Sequence, residues 1–150
     1  MTDQTQHLAV TLFSELLAVD QLARASMARV LPKGMELSHF SVLNHLAHSG
    51  AERTPAQLAQ TFHLTRGAMT NTLSKLEWAG WVHVRPDWDD ARRKLVAISP
   101  SGLSARNAAI AAISPLVADV VAKVGEDKVR AALPVLRELR AKLSDPAQGA

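Results

Sequence analysis

The chain has no cysteine among its 150 residues. Disulfides, thiolate metal sites and thiol redox sensing are therefore excluded. Aromatic residues make up only 4% of the sequence, so the 47% that is hydrophobic comes from leucine, valine, alanine and isoleucine. That composition suits helices, and the length suits one domain, residues 1–150, with a sizeable core. Charge is nearly balanced: a net charge of +3 permits a polyanionic partner without requiring one. The opening MTDQTQHLAV lacks the basic segment and long apolar run of a secretory signal, and no apolar run reads as long enough to span a membrane. The expectation is a soluble, cytoplasmic protein with no membrane partner. No glycine-rich phosphate loop, nucleophile elbow or paired acid motif appears, so neither an enzyme nor a bound cofactor is expected.

What is present is helical periodicity, interrupted once. Leu8, Leu12, Leu16, Val19, Ala23, Met27 and Val30 recur every three or four residues and predict a helix over residues 5–30, stopped by Pro32 and Gly34. A second helix follows Leu37, with Ser38 as its cap and Phe40, Leu43, Leu46 and Ala47 inside; Ser49-Gly50 ends it. Thr54-Pro55-Ala56-Gln57 is a capping box with proline in the first helical position. The short helix it opens turns Leu58, Ala59 and Phe62 inward. After the tight connection His63-Leu64, Thr65 caps a further helix that ends at Ala79-Gly80.

Beyond Gly80 the period changes from helical to alternating. Residues 81–85 and 93–98 read as two strands, and PDWDDA between them as a polar loop with a charged tip. Ser99-Pro100 is another cap. The remainder is helical, with Ile110, Ile113, Val117, Val120 and Val124 on one helix and Val129, Leu133, Leu136, Leu139 and Leu143 on the last. Pro115 and Pro134 lie inside these patterns, where kinks or restarts are expected. The tail SDPAQGA is expected to fray.

The helix after Thr65 carries the chemistry. Met69, Leu73 and Leu76 make its buried stripe. Its other side gathers Arg66, Gly67, Thr70, Asn71, Ser74 and Lys75, short hydrogen-bonding groups rather than the glutamates and lysines of an ordinary solvated face. Two helices joined by a short turn and followed by a β-hairpin make a winged helix-turn-helix. Threonine, asparagine and serine reach base edges in the major groove, and asparagine can pair with adenine through two bonds. Gly67 lowers the helix profile where backbone N–H groups can meet a phosphate. Arg66 and Lys75 flank the helix and can neutralise phosphates. Arg85 before the hairpin tip, and Arg92, Arg93 and Lys94 after it, suit a cationic wing entering the minor groove. Asp90 reads as the internal partner that orients Arg92.

The stretches ELSHFSVLNHLA, TPAQLAQTFHLTRGAMTNTLSKLEWAGWV and RPDWDDARRKLVAIS, with the following PSG, resemble the winged helix-turn-helix of the MarR family, the multiple antibiotic resistance regulators. Asp90 and Arg92 meet the family's wing signature of Asp, one residue, then Arg. Ile98-Ser99-Pro100-Ser101-Gly102 stands where the family has Leu-Thr-x-x-Gly, and Trp78 and Trp81 stand where it has smaller, charged or aliphatic residues. The resemblance implies a mostly α fold with a small β-hairpin wing: a winged helix-turn-helix lobe over about residues 36–103 and dimerisation helices over about 1–35 and 104–145. It also implies a homodimer on double-stranded DNA with a pseudo-palindromic operator, and repression relieved by a small aromatic or anionic effector. Leu17, Arg24, His39 and Leu43 are the candidates for lining an effector crevice. The wide apolar stripes of the terminal helices give a separate reason for a dimer.

Plainer readings stand beside these. The polar helix face can be a solvated surface or a protein-contact face, and the charged hairpin can serve to discourage edge pairing. Asp87, Asp89 and Asp90 are explained by turn chemistry. His45 and His48, one turn apart, are half of a zinc site with no second pair evident. Trp88 at the wing tip either packs back on the lobe or meets DNA.

Overall fold

The computed structural model describes residues 1–144. Its elements in chain order are α1 (Asp3–Val30), α2 (Leu37–Ser49), α3 (Pro55–Thr61), α4 (Arg66–Trp78), β1 (Val82–Pro86), β2 (Lys94–Ile98), α5 (Pro100–Val124) and α6 (Glu126–Leu143). Two compact units divide the chain, Met1–Ile113 and Ser114–Ala150.

The core of the first unit is made where α2, α3, α4 and the hairpin meet. Val42, Leu43 and Leu46 from α2, Leu58 and Ala59 from α3, and Met69, Leu73 and Leu76 from α4 are buried together with Val82, Val96 and Ala109. Of these, Leu43, Leu46, Leu58, Ala59, Met69, Leu73 and Leu76 are positions the helical period places inside; Val42 is not, and Phe40 and Phe62, which it also places inside, are half-buried against the core. β1 and β2 pair antiparallel, with Val82 opposite Ile98 and Pro86 opposite Lys94. A backbone bridge from Arg53 to Val96 adds a third, one-residue rung to the outside of β2.

The capping chemistry explains the boundaries. Thr54 Oγ1 accepts from the Gln57 N–H at 3.1 Å, while Gln57 Oε1 accepts from the Thr54 N–H at 2.9 Å. Thr65 Oγ1 accepts from the Ala68 N–H at 3.1 Å. The start of α2 departs from expectation. Glu36, not Ser38, is the cap residue, and His39 Nδ1 accepts from the Glu36 N–H at 3.1 Å. Burial of both Met35 and His39 pins the chain ahead of the serine.

α5 begins at Pro100, as the Ser99-Pro100 cap predicts, and it runs through Pro115; α6 runs through Pro134. Neither proline restarts its helix: the break falls at Gly125, whose φ of 117° suits glycine. α5 also corrects the expectation about apolar runs. It is long and apolar enough to cross a membrane by length and composition, with a mean hydropathy of 1.5 over its best window. The tail from residue 145 lies outside the described residues.

A clasp joins the end of α4 to the start of α5. Ser99 Oγ donates to the Gly80 carbonyl at 2.6 Å and accepts from the Gly102 N–H at 2.9 Å, while the Ser99 N–H donates to the Trp81 carbonyl at 3.0 Å. Gly102 lies so close to Trp81 that a Cβ there would fall 1.9 Å from the Trp81 carbonyl oxygen. The departure from Leu-Thr-x-x-Gly therefore keeps what matters: a hydroxyl for the clasp, and a glycine at the contact.

Candidate nucleic-acid interface

α3 and α4 are joined by residues 62–65. The chain reverses there because His63 adopts a φ of 53°, while Leu64 N–H donates back to the Ala59 carbonyl at 2.9 Å. α4 then buries Met69, Leu73 and Leu76 and leaves Arg66, Gly67, Thr70, Asn71, Ser74 and Lys75 exposed. Thr65 is exposed too, with its hydroxyl engaged as the cap.

Two details characterise this face, the first being that unengaged polar side chains fall together on it. Hydroxyl groups on other helices are of both kinds: Thr11, Ser41 and Thr61 each donate back to the carbonyl four residues earlier, while Ser14, Ser38, Ser104 and Ser114 donate to none among the described residues. The side chains of Thr70, Asn71 and Ser74 make no hydrogen bond among the described residues, so their polar atoms are available to another molecule. Gly67 has no internal reason to be glycine: it is helical, and a Cβ there would meet nothing within 4 Å.

The wing tip is tied by its own backbone. Asp87 N–H donates to the Arg93 carbonyl at 3.0 Å, and Arg93 N–H to the Asp90 carbonyl at 3.0 Å. Asp90 Oδ1 accepts from both the backbone N–H and Nε of Arg92, at 3.1 and 3.2 Å. The carboxylate thus orients the arginine, whose side chain remains 91% exposed. Arg93 Nε lies 3.8 Å from Asp87. Between wing and helix runs an open groove lined by Thr54, Pro55, Ala56, Gln57, Arg66, Thr70, Arg92, Arg93 and Lys94. It holds four cationic side chains and no carboxylate, so its field favours a polyanion.

Arg85 is placed differently from the other wing cations. It forms a two-point ion pair with Glu52, Nε to Oε1 at 3.0 Å and Nη2 to Oε2 at 2.6 Å. Its guanidinium also stacks on Trp88, 4.1 Å from the ring centroid. Trp88 therefore packs back on Arg85.

The four effector candidates do not come together. Leu43 is fully buried in the core. Leu17 is exposed on α1, and Arg24 pairs with Asp20 on the same helix at 3.0 Å. His39 is buried; desolvation holds its pKa below the ordinary value, opposed by Glu36 and reinforced by Lys75. It does border a cleft, shared with Gly34, Glu36, Lys75, Trp78 and Trp81. Sequence reasoning missed that cleft, since it joins residues of α2 to the far end of α4. Its one visible signal was Trp78, which is 93% exposed. His45 meets Phe62 edge-on and His48 lies 3.3 Å from Arg106. Among the described residues no cluster of three metal-ligating side chains forms.

The MarR family model matches residues 33–93, which span α2, the helix-turn-helix and the wing tip. A helix-turn-helix transcriptional regulator of Mycobacterium leprae is 33% identical over 112 residues, 75% of this chain and 78% of its own length. The chain belongs to the MarR family. It is thus a MarR-family transcriptional regulator, and solved structures agree on the fold. The transcriptional regulator BldR from Sulfolobus solfataricus superposes with a TM-score of 0.80 at 24% identity, covering 95% of this chain and 99% of that one. A mutant MarR from E. coli, in complex with operator DNA, gives 0.78 at 22% identity, covering 92% and 99%. The expected MarR-like architecture, mostly helical with a two-stranded wing, is what the structure has.

Proposed function

We propose that this chain is a sequence-specific DNA-binding repressor that acts as a homodimer in the cytoplasm and has no catalytic role. The observation that carries the reading is the pairing of two surfaces: an α4 face with unengaged Thr70, Asn71 and Ser74, and a groove beside it lined by Arg66, Arg92, Arg93 and Lys94. The first can read base edges and the second can neutralise phosphates. Lys75 adds a cation at the outer edge of the face, and Asp90 sets Arg92 for the minor groove. The E. coli relative of like fold carries operator DNA, which supports the same use of this lobe.

On this reading residues 36–103 are the DNA-binding lobe, and residues 1–35 and 104–145 supply dimerisation helices. No residue of α1 is buried within the chain, although Leu8, Val10, Leu17, Val19 and Leu22 are large and apolar. α6 likewise exposes Leu133, Val135 and Leu136. A second copy covers such faces, and its recognition helix then meets the next major groove, about one helical turn away on a pseudo-palindrome. Release by a small aromatic anion fits the cleft beside His39, where Trp78 and Trp81 offer rings and Lys75 a cation.

The test is binding of the purified protein to the duplex upstream of its own gene, against a scrambled duplex, over a salt series. Specific affinity should exceed nonspecific affinity by about 10³-fold or more, with protection of two half-sites. Absence of binding at low salt would refute the reading and leave the α4 face as a protein-contact surface.

A further inference from the structure

Arg85 would be an ordinary wing cation if its guanidinium were open to an approaching phosphate. Instead each of its nitrogens is engaged. Nε and Nη2 hold the two oxygens of Glu52, and Nη1 donates to the Pro86 carbonyl at 3.0 Å. One face of the group is covered by the Trp88 ring.

The three side chains, Glu52, Arg85 and Trp88, come from three places. Glu52 precedes α3, and its neighbour Arg53 bonds by backbone to Val96 of β2, with N–H to carbonyl distances of 3.0 and 2.8 Å in the two directions. Arg85 belongs to β1, on the far side of β2 from Arg53. Trp88 belongs to the loop at the tip. The ion pair thus reaches across the hairpin and ties β1 to the helical lobe, while the stack ties the tip to β1. An isolated two-stranded hairpin is marginal in water and bends easily. This one must hold Arg92, Arg93 and Lys94 at a fixed height beside α4.

We propose that Glu52, Arg85 and Trp88 form a brace that sets the position of the wing, with Arg85 a positioning residue rather than a contact to DNA. The proposal rests on the DNA-binding reading for its effect and on the free protein for its existence. It makes a prediction of unusual sign. Glu52 is an anion near a surface that meets a polyanion, so simple electrostatics has Glu52→Gln tighten binding. A brace has the same change weaken it, because the wing cations lose their fixed placement.

The experiment uses the full chain and the duplex that the wild type selects from a random-sequence pool. Amide hydrogen exchange of the free protein is measured first. Glu52→Gln and Trp88→Ala should speed exchange across residues 86–93 while far-UV circular dichroism is unchanged; unaltered exchange overturns the brace whatever DNA does. Binding is then followed against salt. Both variants should weaken affinity by about three- to tenfold, the size of an exposed cation–π or ion-pair contact, with a salt slope equal to that of the wild type. Trp88→Phe, which keeps a ring under Arg85, should restore affinity. Arg92→Ala is the reference for a lost phosphate contact and should lower the slope by about one. Tighter binding by Glu52→Gln, or an Arg85→Gln slope reduced like that of Arg92→Ala, overturns the proposal while the DNA-binding reading stands. Failure of the wild type to select any duplex overturns both.

Discussion

Replacing Gly67 by alanine should stabilise the protein and weaken its binding to DNA. Gly67 is the second residue of α4, in helical conformation, and a Cβ built on it meets no atom within 4 Å. The substitution therefore meets no steric resistance inside the chain. It removes backbone freedom from the unfolded state, which contributes up to about 1 kcal/mol and less in a first helical turn. For a chain of this length such a gain raises the melting temperature by roughly 1–3 °C. Binding should respond in the opposite direction. The Gly67 N–H lies in the first turn, where the helix supplies no acceptor. A methyl group beside it holds off a phosphate or base edge. Loss of one charge-assisted hydrogen bond costs about 1.5–3 kcal/mol, roughly a tenfold to hundredfold fall in affinity. Thermal melts and fluorescence anisotropy on the same preparation give both quantities. If stability rises and affinity is unchanged, nothing approaches the helix closely at Gly67, and the outer face of α4 is solvated surface.

The remaining expectations concern the clasp, a buried histidine, readout and assembly. Gly102→Ala places a Cβ 1.9 Å from the Trp81 carbonyl oxygen and 2.8 Å from its carbon, both backbone atoms. Overpacking and damage to the Ser99 hydrogen bonds should together cost about 3 kcal/mol or more, and an unshifted denaturant midpoint would count against the clasp. Because burial holds His39 below its ordinary pKa of 6.5, its contribution to stability is whole above that value and is lost as pH falls through the lower folded value. His39→Gln keeps an acceptor at the third helical position without titrating, so its melting temperature should fall less than that of the wild type between about pH 7.5 and about pH 5.5; equal losses would place the effect elsewhere. Asn71→Ala should cost about 1–3 kcal/mol of discrimination between selected and scrambled duplexes if Asn71 reads a base through two bonds, and unchanged discrimination removes it from the readout. Deleting residues 1–30 should give a monomer or an insoluble chain by sedimentation, since that length carries a face left uncovered within one copy; a stable monomer that still binds a full operator would defeat the dimer.

Some of this was legible in the sequence because its causes are local. The Thr54–Gln57 box and the Thr65 cap act over three residues, so their side chains announce the helix starts that the hydrogen bonds confirm. The period of α4 likewise put Met69, Leu73 and Leu76 in the core. Where residue type competes with tertiary packing, the local rule failed. Serine is the better cap by propensity, yet buried Met35 and His39 move the start of α2 ahead of Ser38. Proline removes one hydrogen bond, a local cost that α5 and α6 absorb at the exposed Pro115 and Pro134 without restarting. Arg85 is the clearest instance at the site itself. Beside Arg92, Arg93 and Lys94 it reads as one more cation of the wing. Its partner Glu52 lies 33 residues away, and only the hairpin's seat against the lobe brings the two within 2.6 Å. What distinguishes a cation that binds from one that positions is whether its charge is already answered within the chain. For Arg92, oriented by Asp90 yet almost wholly exposed, the answer is partial; for Arg85, held at every nitrogen and covered on one face, it is nearly complete. Applied to hydrogen bonding, the same criterion leaves Thr70, Asn71 and Ser74 open, as it does Ser14, Ser38, Ser104 and Ser114; the three on α4 differ in lying together on one exposed face beside the cationic groove. The criterion cannot be applied to a sequence, because the partner that answers a charge or a hydroxyl is set by the fold.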